Sequence, residues 1–350
     1  MKFGFYSPYL DTFGGGERYM LTLASHLAQK NSVDIFWEDS SVKAPLARFL
    51  KIDLAKTNFV DNIFSTPIKD RFFKTRVYDL IFVLSDGSIP FSFAKKNILH
   101  FQVPFIFPNI KTSTKFKLTK YNHIVVNSNF TKKFIDRSFH IDTKVIYPPV
   151  DLDSIKSGKK EKIILSVGRF SAHQLHPKKQ EILIEVFKEF YKKKPDWKLV
   201  LVGQSKKEDQ KYVRRLRKLS KGWAIKIVEN LPIDMLLRLY SIAPIYWHAT
   251  GFGEDESNHP ERMEHFGIST VEASAAGCVP LVINRGGQKE IVEDNKTGFL
   301  WETKTQLYDQ TLKLIGDKTA LSRLSRNAIK NSKKFSKGKF LREYEKIIFE

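Results

Sequence analysis

The segment EHFGISTVE of this 350-residue chain contains two carboxylates, Glu264 and Glu272. Their spacing restricts the chemistry that they can perform together. Glu264 precedes Gly267 in a predicted loop, and Glu272 lies near the first turn of a small-residue helix. Eight helical steps would separate them by about 12 Å and turn them roughly 80° apart. Glycosidase carboxyl pairs lie about 5 to 9.5 Å apart. The spacing therefore favours contact with two ends of an extended ligand, with a capping box between Ser269 and Glu272 as the structural alternative.

Two cations could bind the phosphates of such a ligand. Arg169 ends a predicted strand in SVGRF, and Lys178 precedes a predicted helix, so both side chains can project into one cleft. Two fixed cations suit a diphosphate and stabilise its growing negative charge as a leaving group without a divalent metal. Lys179 is adjacent, and each of these residues taken singly is also typical of a surface cation.

A glycine run, Gly14 to Gly16, lies between the first predicted strand and the first predicted helix, where backbone N–H groups can approach a phosphate. It matches neither GxGxxG nor Walker A, so a tight turn explains it equally well. His100, before Pro104, follows a predicted strand and is a candidate to line a cleft. A core histidine is the alternative.

Three further histidines, His248, His259 and His265, precede or overlap the acidic segment. Their spacing matches neither HExxH nor a zinc-finger pattern, and companion cysteines are missing, because Cys278 is the only cysteine in the sequence. We therefore predict no metal site.

Buried-strand patterns alternate with amphipathic helices along the chain, which predicts an α/β fold with mostly parallel sheets. At 350 residues, two domains of similar size are expected. Pro, Gly, Ser and Lys in PPVDLDSIKSGKKEK indicate a linker. The predicted organisation is a Rossmann-like domain over 1–152, a linker over 153–161, a second Rossmann-like domain over 162–334 and a final helix over 335–350.

The composition bears on location and partners. Apolar residues make up 42% of the sequence, but no stretch of about 18 of them is uninterrupted, and the N-terminus lacks a signal-peptide pattern. We therefore expect a cytoplasmic protein, which could also contact the inner face of a membrane peripherally. The net charge is +21, and residues 1–150 carry +9 of it. Basic clusters in this first part could meet anionic lipid headgroups or nucleic acid, or form a solvated surface: Lys69, Arg71, Lys74, Arg76, Lys111, Lys115, Lys117 and Lys120.

An ordered set of motifs covers nearly the whole chain: GGGERY, VVNSNFTKKFI, VIYPPVD, SVGRF with KKQEILIEVF, ENLPIDMLLRLY, EHFGISTVEASAAGCVPLV and GGQKEIVEDNKTGFL. Together they resemble glycosyltransferase family 4. The resemblance implies a GT-B fold, in which two Rossmann-like domains face a cleft and the C-terminal helix packs back on the first domain. It also implies a nucleotide-sugar donor and transfer with retention of anomeric configuration.

The resemblance also implies roles for residues at matching positions. Arg169 and Lys178 would hold the donor diphosphate, helped by backbone amides. Glu264 would bind donor-sugar hydroxyls, Glu272 the ribose, and His100 would lie close to the donor sugar and acceptor. The remaining donor-binding positions implied are Gly15, Gly16, Leu231, Phe266, Gly267, Ile268 and Ser269.

The polar segment HATGFGEDESNHPERMEHFG resembles a branch that uses GDP-mannose to extend lipid-linked oligosaccharides. The resulting hypothesis is a metal-independent hexosyltransferase, with a slight preference for mannose, acting on a glycan or lipid-linked hydroxyl. A GDP-sugar or UDP-sugar would be its substrate, with no cofactor and no nucleic-acid partner expected. A phosphorylase or a sugar-phosphate synthase is an alternative within the same fold. A nucleic-acid-binding protein or a catalytically silent scaffold that uses the basic surface also remains open.

Overall fold

The computed structural model describes residues 1–12, 14–171 and 175–350. The chain divides into two compact units. Unit 1 comprises Met1–Pro149 with Lys337–Glu350, and unit 2 comprises Val150–Ser336. Each unit contains one sheet of parallel strands with helices between them, so the predicted α/β class is confirmed.

Unit 1 contains a seven-stranded sheet in the order β3-β2-β1-β4-β5-β6-β7. Its strands are β1 Lys2–Tyr6, β2 Ser32–Phe36, β3 Thr57–Val60, β4 Leu80–Ser85, β5 Lys96–Phe101, β6 His123–Val126 and β7 Lys144–Val145. Its first helices are α1 Gly15–Leu27, α2 Lys43–Leu50, α3 Ile68–Thr75, α4 Thr112–Leu118 and α5 Asn129–Phe139. Successive residues of one strand enter different cores, as Phe82 and Val83 do in β4, so both sheet faces are covered.

Unit 2 contains a six-stranded sheet in the order β10-β9-β8-β11-β12-β13. Its strands are β8 Ile163–Val167, β9 Lys198–Gly203, β10 Ile225–Glu229, β11 Ile245–His248, β12 Val279–Ile283 and β13 Phe299–Trp301. Its helices are α6 Gln180–Lys193, α7 Gln210–Ser220, α8 Ile233–Ile242, α9 Ile268–Ala275, α10 Gln288–Ile291, α11 Lys304–Gly316 and α12 Lys318–Ser332. Leu201 and Val202 of β9 likewise enter different cores.

The strand order of unit 2 reverses between β8 and β11, and we call this place the switch point of the sheet. The chain runs outward from β8 through β9 to β10, then returns to place β11 on the other side of β8. In an open parallel sheet, the crevice beyond the carboxyl ends of two such strands is the usual ligand site. The residues that follow β8 and β11 therefore lie where a ligand is expected to bind.

The predicted linker and final helix are both packed into compact units. Lys160, inside the predicted linker 153–161, donates its Nζ to the carbonyls of Ser241, Ala243 and Ala276 at 2.7 to 3.0 Å, which anchors this segment in unit 2. The last helix, α13 Lys337–Phe349, belongs to unit 1, where Phe340 and Tyr344 join the core beneath α1. Among the described residues, no helix has the length and apolarity needed to cross a bilayer.

Candidate functional site

An ion pair between Lys178 and Glu264 forms the centre of the candidate site in unit 2. Lys178 Nζ lies 2.6 Å from Glu264 Oε2, and both side chains are 14% exposed. Lys178 lies in the turn before α6, and Glu264 lies in the loop between β11 and α9, where a loop was predicted. The fold thus brings together two charges that the sequence places far apart.

The pKa values of both partners are lowered, but for different reasons. Burial lowers the pKa of Lys178; Glu264 opposes this shift, and the nearby Arg169 guanidinium adds to it. Burial acts to raise the pKa of Glu264, but Lys178 and His248 outweigh that effect and hold it well below its ordinary value. Glu264 is therefore ionised at neutral pH, and Arg169, exposed just after β8, lies close enough to influence the pair.

His248, the last residue of β11, holds the same carboxylate oxygen from another side. Its Nε2 lies 3.0 Å from Glu264 Oε2 and 3.2 Å from Thr250 Oγ1, and Gln288 Nε2 lies 3.4 Å away. Burial lowers the pKa of His248, which favours the neutral ring. Because a carboxylate only accepts hydrogen bonds, the neutral ring carries its proton on Nε2, and this N–H donates a hydrogen bond to Glu264.

A glycine turn fixes the backbone around Glu264. The Gly287 N–H donates to the Glu264 carbonyl at 2.8 Å. Gly286 has a φ of +60°, and a Cβ there would lie 2.4 Å from the same carbonyl oxygen. A Cβ on Gly287 would lie 2.5 Å from the His265 carbonyl oxygen. Side chains at either glycine would displace the loop that positions Glu264.

The N-terminus of α9 lies directly after this loop. Gly267 caps the helix with a φ of +116°, and a Cβ there would lie 2.4 Å from Gln288 Nε2. The helix begins at Ile268, so Ser269 already lies inside it, and the capping box proposed for Ser269 and Glu272 is wrong. N–H groups in the first turn of a helix lack intrahelical acceptors and can bind an anion.

Tyr246 links the end of β8 to this helix terminus. Its hydroxyl lies 3.2 Å from the Val167 carbonyl oxygen and 2.9 Å from Ser269 Oγ. Tyr246 is fully buried in β11, so it couples the two strands of the switch point to α9.

The remaining unit 2 candidates occupy different surroundings. Glu272 lies in α9, buried, and accepts a 3.0 Å hydrogen bond from the Tyr240 hydroxyl. Leu231 lies half-buried in the connection from β10 to α8. The Phe266 ring is buried and packs edge-on against Phe335 at 5.3 Å, so its side chain serves the core.

The polar segment before Glu264 is held by its own carboxylates. Glu254 pairs with Lys179 at 2.6 Å and with Arg262 at 3.0 Å, and Glu256 pairs with Lys289 at 3.1 Å. Lys178 and Lys179 therefore have different partners, a distinction that their adjacency in the sequence does not reveal.

The glycine run of unit 1 has a structural explanation. The Glu17 carboxylate accepts a hydrogen bond from the Gly14 N–H at 2.8 Å, so the protein places its own anion at the start of α1. Gly15 is the first residue of α1. Gly16 packs closely, since a Cβ there would lie 2.4 Å from Gln102 Oε1. A donor-binding role for Gly15 and Gly16 stays a prediction.

His100 is not at a surface. It lies inside β5, with no exposed area, and stacks on Tyr19 with ring centroids 4.0 Å apart. Both ring nitrogens are buried and find no hydrogen-bond partner among the described residues, and burial lowers the pKa of His100 to about 3. The prediction that His100 follows the strand and lines a cleft is therefore wrong in this structure. Its catalytic role stays a prediction, and it would require Tyr19 to move.

Sequence reasoning missed the supporting residues His248, Tyr246 and Gln288. The spacing of His248 excludes a zinc motif, but its position as the polar last residue of an apolar strand is a recognisable signal for a site. Tyr246 and Gln288 carried no signal, because their contacts depend on the packing of distant segments. Within the described ranges, no group of three or more His, Cys, Asp or Glu residues is arranged to hold a metal ion.

The fold resembles several solved structures. The crystal structure of Anabaena HepE in complex with UDP is 18% identical, with a TM-score of 0.75 over 99% of each chain. A glycosyltransferase from Rickettsia africae is also 18% identical, with a TM-score of 0.74 over 99% of this chain and 97% of that one. Two Rossmann-like units with these neighbours confirm the predicted GT-B fold.

Sequence relatives narrow the comparison. A human GDP-Man:Man(3)GlcNAc(2)-PP-Dol alpha-1,2-mannosyltransferase is 31% identical over 249 residues, which cover 65% of this chain and 47% of that protein. Its Dictyostelium discoideum counterpart is 29% identical over 245 residues, 64% of this chain and 46% of that protein. The chain thus spans about half the length of these relatives. Residues 150–335, more than half of the sequence, match the family described as Glycosyl transferases group 1, and the chain belongs to that family.

Proposed function

We propose that this protein is a retaining mannosyltransferase that moves mannose from GDP-mannose to a hydroxyl of a lipid-linked glycan without a metal ion. Family membership supports glycosyl transfer. The names of the human and Dictyostelium relatives, which specify GDP-Man and a PP-Dol acceptor, support this donor and this class of acceptor.

One observation carries the proposal: the Lys178–Glu264–His248 cluster at the switch point of unit 2. A cation and an ionised carboxylate lie 2.6 Å apart at the carboxyl edge of the sheet, beside a helix N-terminus. This combination suits a nucleotide sugar, because cations can bind its diphosphate and a carboxylate can accept hydrogen bonds from its sugar hydroxyls.

The diphosphate would bind to Arg169, Lys178 and the first-turn N–H groups of α9, chiefly those of Ile268 and Ser269. Arg169 is exposed after β8, and Lys178 lies close enough for the guanidinium to lower its pKa. These groups would stabilise the charge that develops on the leaving phosphate, which a divalent metal does in other transferases.

Donor binding would divide the Lys178–Glu264 pair between two parts of the ligand. The phosphates would take over the Lys178 ammonium, and Glu264, still held by His248 at 3.0 Å, would accept hydrogen bonds from sugar hydroxyls. Glu272 would bind the ribose hydroxyls, with Tyr240 fixing its carboxylate, and the backbone near Leu231 would contact the base. The Lys178–Glu264 pair thus keeps two ligand-binding charges compensated until the donor arrives.

The transfer step would follow a front-face course. The acceptor oxygen forms a bond to the sugar anomeric carbon as the bond from that carbon to the phosphate oxygen breaks. The electron pair of the broken bond remains on GDP, and the acceptor proton moves to the departing phosphate oxygen. Positioning and charge stabilisation would then supply most of the rate acceleration.

Thermal unfolding with GDP, UDP, ADP and their sugar conjugates tests the donor assignment. A ligand at 100 times its dissociation constant adds about 2.7 kcal/mol of stability. We expect stabilisation by GDP and GDP-mannose that is unchanged by EDTA. Selective stabilisation by UDP would contradict the donor, and loss of the effect in EDTA would contradict metal independence.

Product analysis tests the reaction itself. Incubation with GDP-mannose and a dolichyl-diphosphate oligosaccharide should release GDP and yield an α-linked mannose, which proton NMR of the anomeric signal identifies. A β-linked product would contradict retention. Hydrolysis without transfer to any lipid-linked acceptor would contradict the acceptor class.

A further inference from the structure

Three segments of unit 1 contact one another through aromatic rings: residues 67–77 around α3, residues 91–96 leading into β5, and residues 111–120 around α4. Five phenylalanine rings connect them in an unbroken row. The centroid distances along it are 5.3, 5.0, 6.2 and 6.0 Å, in the order Phe73, Phe72, Phe93, Phe91 and Phe116. We call this set the phenylalanine row.

The row is exposed to a degree that packing inside unit 1 does not explain. Phe73 is 63% exposed and Phe116 57% exposed. Ile68 and Val77, at the two ends of the α3 segment, are 51% and 61% exposed. Single exposed apolar residues are ordinary, but a contiguous set on neighbouring segments is typical of an interaction surface.

Cations lie directly on this row. Arg76 is placed 4.8 Å from the Phe72 ring centroid, Lys117 5.4 Å from that of Phe91, and Lys120 5.3 Å from that of Phe116. The three segments together hold ten basic residues against one acid, Asp70. The basic residues are Lys69, Arg71, Lys74, Arg76, Lys95, Lys96, Lys111, Lys115, Lys117 and Lys120.

A groove runs beside the rings. It has a volume of about 410 Å³, and its lining includes the aromatic rings of Phe72 and Phe93 together with Arg76, Lys95 and Lys120. Most of the remaining lining is polar: Ser92, Asn97, Thr119 and Asn122. The groove therefore places cationic and polar groups beside two aromatic rings, which suits a lipid phosphate and its polar headgroup.

We propose that this face of unit 1 docks on an anionic phospholipid bilayer. Aromatic and aliphatic side chains would enter the headgroup region, while lysines and arginines pair with lipid phosphates. Charge complementarity selects this occupant, since the three segments hold ten basic residues and one acid, and Asp79, from outside them, pairs with one of the groove's cations, Lys95. The proposal goes beyond the proposed function, because it rests on unit 1 alone and requires no nucleotide sugar.

Ring geometry disfavours single-stranded nucleic acid as the occupant. Base stacking needs open, accessible ring faces. Here three of the four neighbouring pairs in the row meet at 86°, 71° and 61°, for Phe72–Phe73, Phe72–Phe93 and Phe91–Phe116, and only Phe91–Phe93 is nearly parallel, at 13°. Cations of the protein also lie over Phe72, Phe91 and Phe116. Exposed aliphatic side chains at the ends of the row suit lipid better than bases.

Vesicle sedimentation of the full chain tests the proposal. We expect binding to vesicles of phosphatidylcholine with about one third phosphatidylglycerol at low salt, and little binding to pure phosphatidylcholine, because charge drives the encounter. The combined variant Phe72→Ser, Phe73→Ser and Phe116→Ser should weaken binding at least about 10-fold. Phe49→Ser, at an exposed phenylalanine of α2, is the matched control and should change binding little.

Charge reversal gives a second pair of variants. Lys69→Glu, Lys74→Glu, Lys117→Glu and Lys120→Glu together should reduce binding about 100-fold or more. The control replaces four exposed lysines of unit 2 with glutamate: Lys211, Lys218, Lys313 and Lys318. Equal losses in the two sets would show attraction by net charge alone and would overturn a specific docking face.

A fluorescent label reports which face touches the lipid. Cys278 is fully buried and is the only native cysteine, so a cysteine introduced by Phe73→Cys can be labelled selectively with a polarity-sensitive dye. Its emission should shift to the blue on adding anionic vesicles, whereas a dye attached through Lys313→Cys should not respond. Absence of a shift at position 73 would contradict the proposal. So would failure to bind vesicles combined with binding of a uridine oligonucleotide that the phenylalanine variant abolishes.

Discussion

The two units share one architecture, yet their buried histidines have opposite surroundings. His100 lies near the carboxyl end of β5 in unit 1 and stacks on Tyr19, and within the part of the chain that the structure describes neither ring nitrogen has a hydrogen-bond partner. His248 ends β11 in unit 2 and donates to Glu264 at 3.0 Å. Burial lowers the pKa of each ring, so a depressed histidine pKa alone does not distinguish a core residue from a site residue. The polar partner does.

The helix N-termini show the same contrast. In unit 1, the Glu17 carboxylate accepts the Gly14 N–H at the start of α1. In unit 2, no side chain among the described residues caps α9, and the loop before it carries a charged pair. Unit 1 thus supplies its own anion, whereas unit 2 presents a helix terminus and compensated charges that an outside anion can use.

Replacing Lys178 should have the largest effect on this contrast. Lys178→Ala removes a cation from the leaving phosphate and leaves Glu264 without its ion-pair partner, so we expect kcat/KM for GDP-mannose to fall about 100-fold to 1,000-fold. Steady-state GDP release measures this change.

The adjacent lysine supplies the control. Lys179→Ala makes the same change in charge and keeps the backbone, but it removes a partner of Glu254 and not of Glu264. We expect a loss smaller than about 10-fold, because Glu254 keeps its ion pair with Arg262 at 3.0 Å and Glu264 keeps Lys178. Comparable losses in the two variants would remove the distinction drawn between these neighbours.

His248 should have the next largest effect. His248→Phe keeps a ring of similar shape but removes the hydrogen bond to the Glu264 carboxylate, a loss of about 1.5 to 3 kcal/mol, or about 10-fold to 150-fold in kcat/KM. His248→Gln retains an N–H donor and should recover part of the activity. If the two variants were equally impaired, packing and not the hydrogen bond would explain the role of His248.

Much of the fold followed from local patterns. The alternation of buried-strand patterns with amphipathic helices predicts parallel sheets, and strands such as β4, whose six residues are all buried, lie in such sheets. Lys178 and Glu264 were candidates from the sequence because of their charge and position, but the choice of Lys178 over Lys179 rested on the family resemblance, and the roles of both residues stay predictions.

The contacts that support the site could not be found in the same way. Gln288 reaches His248, and Gly287 reaches Glu264, only because α10 packs beside α9. His100 was misplaced for a related reason. A histidine near a strand end reads as polar, whereas the Tyr19 ring from α1 covers it, and the sequence carries no mark of that contact.

Acidification should expose the difference between the two histidines. The pKa of His100 falls from 6.5 in the unfolded chain to about 3 in the folded one, so on acidification the unfolded state takes up this proton at a higher pH than the folded state does. Its contribution to stability is complete above about pH 6.5 and is lost as the pH falls toward 3. Between pH 7.5 and pH 5 the loss is about 2 kcal/mol. His100→Phe should lose about 2 kcal/mol less stability than the wild type over this interval in urea unfolding.

The control for this experiment is His140→Asn. His140 is exposed, and asparagine tolerates its φ of +54°, so the substitution should not disturb the fold. The pH dependence of the free energy of unfolding should then match that of the wild type. An unaltered pH dependence in His100→Phe would mean that the buried ring does not control acid stability. A large fall in kcat for His100→Phe at pH 7.5 would instead support the catalytic role that the family resemblance implies.

The smallest effect concerns the helix terminus of unit 1. Glu17→Ala removes the carboxylate that accepts the Gly14 N–H, and the expected loss is about 1 kcal/mol of stability, since helix N-capping contributes about 0.5 to 2 kcal/mol. Glu38→Ala, at an exposed position of the same unit, should change stability by less than about 0.5 kcal/mol. The urea midpoint measures both. If inorganic phosphate raised the urea midpoint of Glu17→Ala and left that of the wild type unchanged, the glycine run would be a phosphate site that Glu17 occupies. The helix N-termini of the two units would then differ only in the anion that each one holds.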